Sequence, residues 1–337
     1  MFSLHPTELK NRRGQCKPLV DRLGKLGFEF SSRCNVCGST HCAIISDRDR
    51  YGFLIRSAMC LNCGLIYLVD RFTANGYSKF YGSGGYRDLI SRFKGKGQSI
   101  RAVQFAQVNY ARTLTRALAG RISSVSGGKL LDVGGSTGIV SREFAEHFGL
   151  KPTLLEPAPE EVSAARALGI DAVVGSIEEW DTEERFDLIL LCRTFEHLFD
   201  LQRAFARIRL LLKPGGLLYC DVADFLEICR REGPPQATTK IDHCYCVSQE
   251  TAAGVFQLLG FEVVSMYAIL GPDQLGFLLR PGEPTKTVQA SAELLGRQLR
   301  GFREIETDWH EFGSIPVNIF DRLRIGAYRL KKRIAVR

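Results

Sequence analysis

The sequence predicts an α/β fold: a mostly parallel sheet with helices on both faces, a cysteine-rich module ahead of it and a helical extension behind it. Three observations carry this. Residues 129–280 alternate strand-like and helix-like stretches. Two C-x-x-C pairs, Cys34/Cys37 and Cys60/Cys63, precede that alternation with 22 residues between them. Residues 281–337 keep a helical pattern with no further strand-like run.

Composition bounds the function classes. The 337 residues are 45% hydrophobic and 24% charged, ordinary globular values that exclude a disordered or fibrous chain. No apolar run approaches the roughly 18–20 residues of a membrane span. The start, MFSLHPTELKNRR, lacks an apolar stretch followed by a small-residue cleavage site, so no signal peptide is expected and the predicted location is cytoplasmic. The net charge of +8 is unevenly spread. Residues 128–280 hold 14 Lys+Arg against 23 Asp+Glu, residues 1–127 hold 20 against 7, and residues 281–337 hold 11 against 7. Basic flanks around an acidic centre either attract an anionic partner or pack on that centre and neutralise it.

The cysteines divide in two. Seven of the eleven show no metal spacing; the other four form CNVCG and CLNCG. Without a secretory signal this pattern indicates a metal and not a disulfide framework. The glycine after each pair permits the tight turn of a knuckle. The flanking HCAIIS, YGFLIRSAM and GLIYLVD read as short strands, so residues 1–75 are expected to form a zinc ribbon. Four thiolates close the coordination shell, which makes the expected zinc structural. His41 and Cys42 are expected bystanders.

Residues 76–127 form a helical linker or lid. It opens on FYGSGGYRDL and continues as a helix in which Val103, Ala106, Val108, Ala111, Leu114 and Leu118 recur at largely helical spacing up to Gly120. From 128 to 280 the strands are Lys129–Val133, Pro152–Glu156, Ala172–Val174, Phe186–Cys192, Leu217–Val222 and stretches near Phe261–Val264 and Gly276–Leu279. The helices are Ile139–Phe148, Glu160–Leu168, Ala204–Leu212 and Gln249–Leu259. FDLILLC is apolar throughout, as a strand buried on both faces must be. Ligands of such sheets bind beyond the carboxyl ends of the strands.

The first strand runs into Asp132-Val133-Gly134-Gly135-Ser136-Thr137-Gly138, a nucleotide-type turn that does not match the dinucleotide spacing. Glu156, at the tip of the second strand, can accept from both hydroxyls of a ribose. LLDVGGSTG, LLEP, VVGSIEEW, FDLILLCRTFEHLFD and LLKPGGLLYCDV resemble, in order and spacing, the motif series of class I S-adenosylmethionine-dependent methyltransferases. The whole chain, ribbon included, looks like the branch associated with sugar and small-metabolite methyl transfer. The resemblance implies a Rossmann-like seven-stranded sheet. It also implies that Gly134, Gly135 and Gly138 let the chain pass close to the methionine portion of S-adenosyl-L-methionine, with Asp132 ahead of them. By the same resemblance Glu156 binds the ribose, Ser176 and Ile177 lie beside the adenine, and Arg193 or Thr194 stands near the sulfonium. Ser136 replaces the family's usual glycine.

Methyl transfer to a hydroxyl or carbon needs alignment and a base. Glu196-His197 follows the fourth strand, and Asp242-His243 precedes the helix near Ser248. The second pair resembles the histidine motif of sugar C-methyltransferases, except that Lys240 and Ile241 replace a tyrosine and a histidine and Asp242 replaces a glutamate. Those departures favour oxygen as the acceptor atom, on a glycan, nucleotide-sugar or related anionic metabolite. His243 is read either as general base or as a structural or orienting residue, and His197 as holding its loop or acting directly. Glu196 with His197 is also weighed as a divalent cation site. The alternatives are an RNA methyltransferase that holds nucleic acid through its ribbon, a sugar C-methyltransferase, and a non-catalytic scaffold. In the tail, Ile319, Leu323, Ala327, Leu330 and Ile334 fall at helical spacing among arginines and lysines. Such a helix packs on its own domain or contacts an anionic membrane surface.

Overall fold

A computed structural model describes residues 4–313 except 269, 270, 272, 284, 286 and 287. The tail stripe from Ile319 to Ile334 lies outside the described residues. The chain opens with helix α1 (Pro6–Leu23), whose first turn holds Pro6 and is capped by the His5 ring, which accepts from the Thr7 N–H. Strand β1 (Phe28–Phe30) pairs with β5 (Asp70–Phe72). Between them β2 (Cys42–Ser46), β3 (Ser57–Cys60) and β4 (Ile66–Leu68) form an antiparallel meander.

The expected strand YGFLIRSAM is shorter than its apolar pattern implies, because Tyr51–Arg56 does not pair. The Asp49 carboxylate, fully buried, takes the N–H groups of Tyr51, Gly52 and Phe53 on Oδ1 at 2.8–2.9 Å. A side chain thus satisfies donors that a ladder would otherwise need.

Helices α2 (Ala74–Gly82), α3 (Gly85–Lys94) and α4 (Ile100–Leu118) follow. The first two occupy the stretch that the sequence marked only by its Gly and Tyr residues. Thr73 and Ser99 cap α2 and α4 through their hydroxyls. On α4 the face formed by Tyr110, Ala111, Leu114 and Leu118 is buried against α5 (Ile139–Phe148) and the sheet.

The central alternation comprises β6 (Lys129–Val133), β7 (Lys151–Glu156), α6 (Pro159–Ala167), β8 (Asp171–Val174), β9 (Phe186–Leu191), α7 (Leu201–Leu211), β10 (Leu212–Ala223), α8 (Phe225–Glu232), α9 (Pro235–Thr238), β11 (Tyr245–Cys246), α10 (Gln249–Leu258), β12 (Phe261–Ala268) and β13 (Gln274–Pro281). Seven of these strands make one sheet in the order β12-β13-β10-β9-β6-β7-β8. Pairing is parallel except where β13 meets β10 and β12. Leu188–Leu191 on the central β9 are fully buried, as its unbroken apolar run requires. Helix α11 (Ala292–Phe312) closes on α8, with Phe302 against Phe225 and the Trp309 indole donating to the Leu4 carbonyl. No described helix is long and apolar enough to cross a membrane.

The remaining strand, β11, joins the small sheet, not the large one. Its order is β11-β4-β3-β2, with Tyr245 opposite Tyr67 and Cys246 opposite Ile66. The ribbon is therefore built into the larger domain at several points. Its first knuckle meets α7, where Gln202 Nε2 donates to the Val36 carbonyl at 2.6 Å and Asn35 donates to Asp200 at 3.1 Å. Its second meets α10: a Cβ on Gly64, at φ +78°, would fall 2.4 Å from Thr251 Cγ2. One continuous buried cluster links ribbon residues such as Met59 and Leu65 to sheet residues such as Ile189 and Cys220. Gly64→Ala combines a left-handed backbone with that contact, and the expected loss is about 1–3 kcal/mol of stability, read by urea unfolding of the full chain.

Candidate active site and cysteine centre

The expected cofactor residues converge at the carboxyl ends of β6, β7 and β9. The chain leaves β6 through Gly134 (φ +69°), Gly135, Ser136 (φ +53°) and Gly138 (φ +80°). The chain's own packing demands glycine here. A Cβ on Gly134 would lie 2.6 Å from Thr194 Oγ1, and one on Gly135 would lie 2.7 Å from both Asp132 Oδ2 and Leu154 Cδ1. Ser136 keeps the left-handed conformation despite its side chain. Its hydroxyl donates to Glu161, and its N–H donates to Glu156 Oε2 at 3.1 Å.

Glu156 also accepts from the Ala158 N–H at 3.0 Å. Burial, with Glu161 adjacent, pushes its carboxyl up to about 8. Each of its oxygens has taken one N–H and retains a lone pair for a ribose hydroxyl. Asp132 is fully buried. Its Oδ2 accepts from the Ser141 hydroxyl at 2.6 Å, its Oδ1 has no partner, and burial raises it to about 6. An unfilled acceptor behind the glycine turn and a half-filled carboxylate at the tip of β7 fit a ligand that carries both an ammonium and a ribose diol.

The other expected contacts are engaged locally. The Ser176 carbonyl accepts from Glu179 and Trp180, while Ile177 is 1% exposed within the core. Arg193 (φ +54°) donates its N–H to Asp221 Oδ1 at 2.5 Å. Its guanidinium reaches Gln274 at 3.0 Å and lies 4.6 Å over the Tyr110 ring. Tyr110 in turn donates to Asp221 Oδ2 at 2.7 Å. Thr194 packs against Gly134.

The two histidines come from separate elements and meet, with ring centroids 4.8 Å apart. His197 ends a short turn after β9, and its Nδ1 lies 3.1 Å from the Tyr81 hydroxyl. His243 Nε2 lies 3.5 Å from Asp242 Oδ2 and 3.4 Å from Lys240 Nζ. Burial, reinforced by Lys240, His197 and Arg50, holds the His243 imidazole well below its ordinary value, and burial lowers His197 too. Both rings are neutral at neutral pH. Glu196 faces elsewhere: its carboxylate accepts from the Ala223 N–H at 3.0 Å, and burial pushes it up to about 7. The cluster formed with His197 therefore contains Asp242 and His243, not Glu196.

The histidine loop is held mainly from the ribbon side. Asp49 Oδ2 accepts from the Ile241 N–H at 3.0 Å, and the Tyr77 hydroxyl donates to the Ile241 carbonyl at 2.6 Å. The Arg50 N–H reaches Thr239, and the Leu68 N–H reaches Cys244. Helix α3 spans both halves of the site. Tyr86 sets its ring 5.9 Å from His197, and Arg87 pairs with Glu161 at 2.5 Å. Asp49, Tyr81, Tyr86, Arg87 and Glu161 escaped the sequence reading. Only Asp49 carried a local signal, an acidic residue just ahead of a Tyr-Gly turn.

Cys34, Cys37, Cys60 and Cys63 also meet. Their sulfurs all lie within 4.8 Å of one another, with Cys34–Cys63 at 3.6 Å and Cys37–Cys60 at 3.5 Å. Gly38 and Gly64 adopt left-handed φ after each pair. Thiolates bound tetrahedrally at about 2.3 Å stand ~3.8 Å apart, so the arrangement fits a four-coordinate ion. His41 and Cys42 lie outside this group.

A methyltransferase domain family matches residues 103–266. A ubiquinone biosynthesis O-methyltransferase of Bradyrhizobium sp. (strain ORS 278) is 31% identical over 103 residues, which is 29% of this chain and 40% of that protein. The enzyme of the same description from Nitrobacter winogradskyi is 32% identical over 102 residues, 29% of this chain and 39% of its own. The chain thus spans about 40% of the length of these curated relatives. Among solved structures, the mitomycin 7-O-methyltransferase aligns at TM-score 0.47 and 19% identity, over 61% of this chain and 60% of its own. The 1,6-didemethyltoxoflavin-N1-methyltransferase of Burkholderia thailandensis aligns at 0.44 and 21%, over 60% and 89%. Residues 103–266 thus match the methyltransferase domain family, and this match together with the curated relatives supports a class I S-adenosylmethionine-dependent methyltransferase.

Proposed function

We propose that this protein transfers a methyl group from S-adenosyl-L-methionine to a hydroxyl oxygen of a small, anionic acceptor such as a glycan, a nucleotide-sugar or a phenolic metabolite. The observation that carries this reading is the meeting of two neutral imidazoles with Asp242 beside α3, whose next residue pairs with the carboxylate next to Glu156. The description of the curated relatives as O-methyltransferases supports oxygen as the acceptor atom.

When bound, S-adenosyl-L-methionine supplies an electrophilic methyl group. Glu156 holds the ribose diol, and the open Asp132 oxygen suits the ammonium. The turn at Gly134–Gly138 fixes the distance between them. His243, neutral and steadied by Asp242, takes the acceptor's hydroxyl proton on a ring nitrogen as the oxygen becomes nucleophilic. Tyr81 orients His197 through Nδ1, and Tyr86 shields the imidazoles from water. The four cysteines hold a structural zinc. Its part in the reaction is indirect: the ribbon sheet it closes carries β11, which begins two residues after His243. The seven cysteines outside this centre are unpaired thiols, in keeping with the reducing, cytoplasmic compartment read from the sequence. The basic N-terminal flank is partly neutralised, by Glu8, Asp21 and Asp88 within it and by Glu161 and Glu232 of the acidic centre.

Four outcomes are expected. Calorimetric titration with S-adenosylhomocysteine gives a binding isotherm that Glu156→Ala weakens about 10–100-fold, the loss of one or two hydrogen bonds. No heat from the wild type would refute the cofactor reading. Mass spectrometry across a panel of nucleotide-sugars, glycans and catechols finds a methyl gain, which His243→Ala reduces by about 10²–10⁴-fold without loss of cofactor binding. Because the folded imidazole titrates below 6.5, its base form persists as pH falls through that value. The acid limb of the rate profile therefore lies below the ordinary histidine range. Native mass spectrometry shows one zinc per chain. Chelation that removes it unfolds the ribbon and abolishes turnover, whereas full turnover of the zinc-free chain would contradict the coupling through β11.

A further inference from the structure

His197, Asp242 and His243 each offer one ligand atom, and these atoms lie within 4.8 Å of one another. Two imidazoles and a carboxylate suit a first-row divalent ion. Asp242 is 1% exposed, and its Oδ1 has no hydrogen-bond partner, so the carboxylate presents a buried acceptor that the chain leaves unfilled. Burial also keeps both rings in the form that ligates. The donor set is that of a cation site.

A lysine is already there; burial and Arg50 lower its ammonium from the ordinary lysine value, while Asp242 and Glu232 support it. Lys240 Nζ lies 3.4 Å from His243 Nε2, which is itself 3.5 Å from Asp242 Oδ2. The backbone that carries the lysine is held in place: its carbonyl accepts from the His243 N–H at 3.0 Å, and the preceding carbonyl accepts from the Arg50 N–H at 2.9 Å. Lys240 and His243 line the same small cavity with Ser57, Thr238 and Cys246. The neighbouring Arg50 is otherwise engaged, with Glu232 at 3.4 Å and its guanidinium 4.7 Å over Phe93. A dication entering among the two histidines and Asp242 would face the lysine ammonium within a few ångströms, and like charges at that range repel strongly outside bulk water.

We propose that the Lys240 ammonium is the resident cation of the histidine cluster, standing in for a divalent metal beside His197, Asp242 and His243 and receiving the anionic oxygen of the acceptor. The proposal rests on the methyltransferase reading for the identity of that oxygen. The placement of the cation stands on geometry alone. It explains why a compact set of metal-type ligands coexists with a lysine, and it makes Lys240 a selector for acceptors that present a carboxylate, a phosphate or an acidic hydroxyl.

The test uses the full zinc-loaded chain titrated with Co(II), read by visible absorption and metal analysis. The wild type takes up no cobalt beyond the cysteine centre. Lys240→Met takes up one ion per chain at cobalt concentrations at which the wild type takes up none beyond the cysteine centre, and adding His243→Ala abolishes that uptake. Lys240→Arg, which keeps the charge, behaves as the wild type. Lys240→Gln replaces the methionine variant if that chain does not fold, with folding judged by its melting curve. Cobalt uptake by the wild type, or a folded neutral variant that takes up none, overturns the proposal. With an acceptor from the methyl-gain panel, Lys240→Met lowers kcat about 10²-fold and Lys240→Arg recovers part of it; an unchanged kcat in the neutral variant also overturns the proposal. A wild type that gives no heat with S-adenosylhomocysteine would defeat the methyltransferase reading and leave the cobalt result standing.

Discussion

A carboxylate without access to water holds the two parts of this molecule together. Asp49 accepts four backbone N–H groups, three from its own turn and one from Ile241, which is 192 residues away in sequence. Burial, with Asp242 nearby, pushes its carboxyl up to about 7, even with those donors present. Leaving any of these buried amides unpaired costs about 1–3 kcal/mol, so the turn and the histidine loop stabilise each other. Around this anchor the β4–β11 pairing, the Tyr77 hydroxyl and the Arg50 backbone add further ties. The position of His243 is a property of the ribbon as much as of the large sheet.

The cofactor side follows a different logic. Its glycines are required by Thr194, Asp132 and Leu154 as well as by any ligand. Glu156 is stabilised by two backbone amides yet kept half-satisfied, and Asp132 has one oxygen filled and one open. Each group is positioned by the protein and keeps an acceptor that the chain itself does not fill. Helix α3 joins this half to the other, since consecutive residues Tyr86 and Arg87 face the histidines and the Glu161 carboxylate.

The large sheet was legible in the sequence because its strands are short, buried and separated by glycine-ended helices, patterns that local reading detects. All seven strands appear near their expected places. The cysteine knuckles were legible because spacing and glycine placement leave few alternatives. The helices α2 and α3 were not, since their Gly and Tyr content masks a helix whose stability comes from aromatic packing by Phe80, Tyr81 and Tyr86. The fourth ribbon strand was invisible for a stricter reason. Two residues, Tyr245 and Cys246, carry no periodicity, and only their distant partner makes them a strand. In the same way His197 and His243 were each found as singletons, while their contact, and the lysine beside them, depend on tertiary placement.

The shared four-stranded sheet also constrains the order in which the molecule can be assembled. On a growing chain, β2, β3 and β4 emerge early, but the edge of β4 stays open until residues 245–246 have been made and delivered to it. Contacts of such long sequence separation form slowly, and open strand edges are exposed to wrong partners meanwhile. A metal bound early by Cys34, Cys37, Cys60 and Cys63 would keep the waiting meander folded through that interval. On this view the cysteine centre acts first as a timer for synthesis: it preserves a docking edge until the segment that carries His243 arrives to complete it.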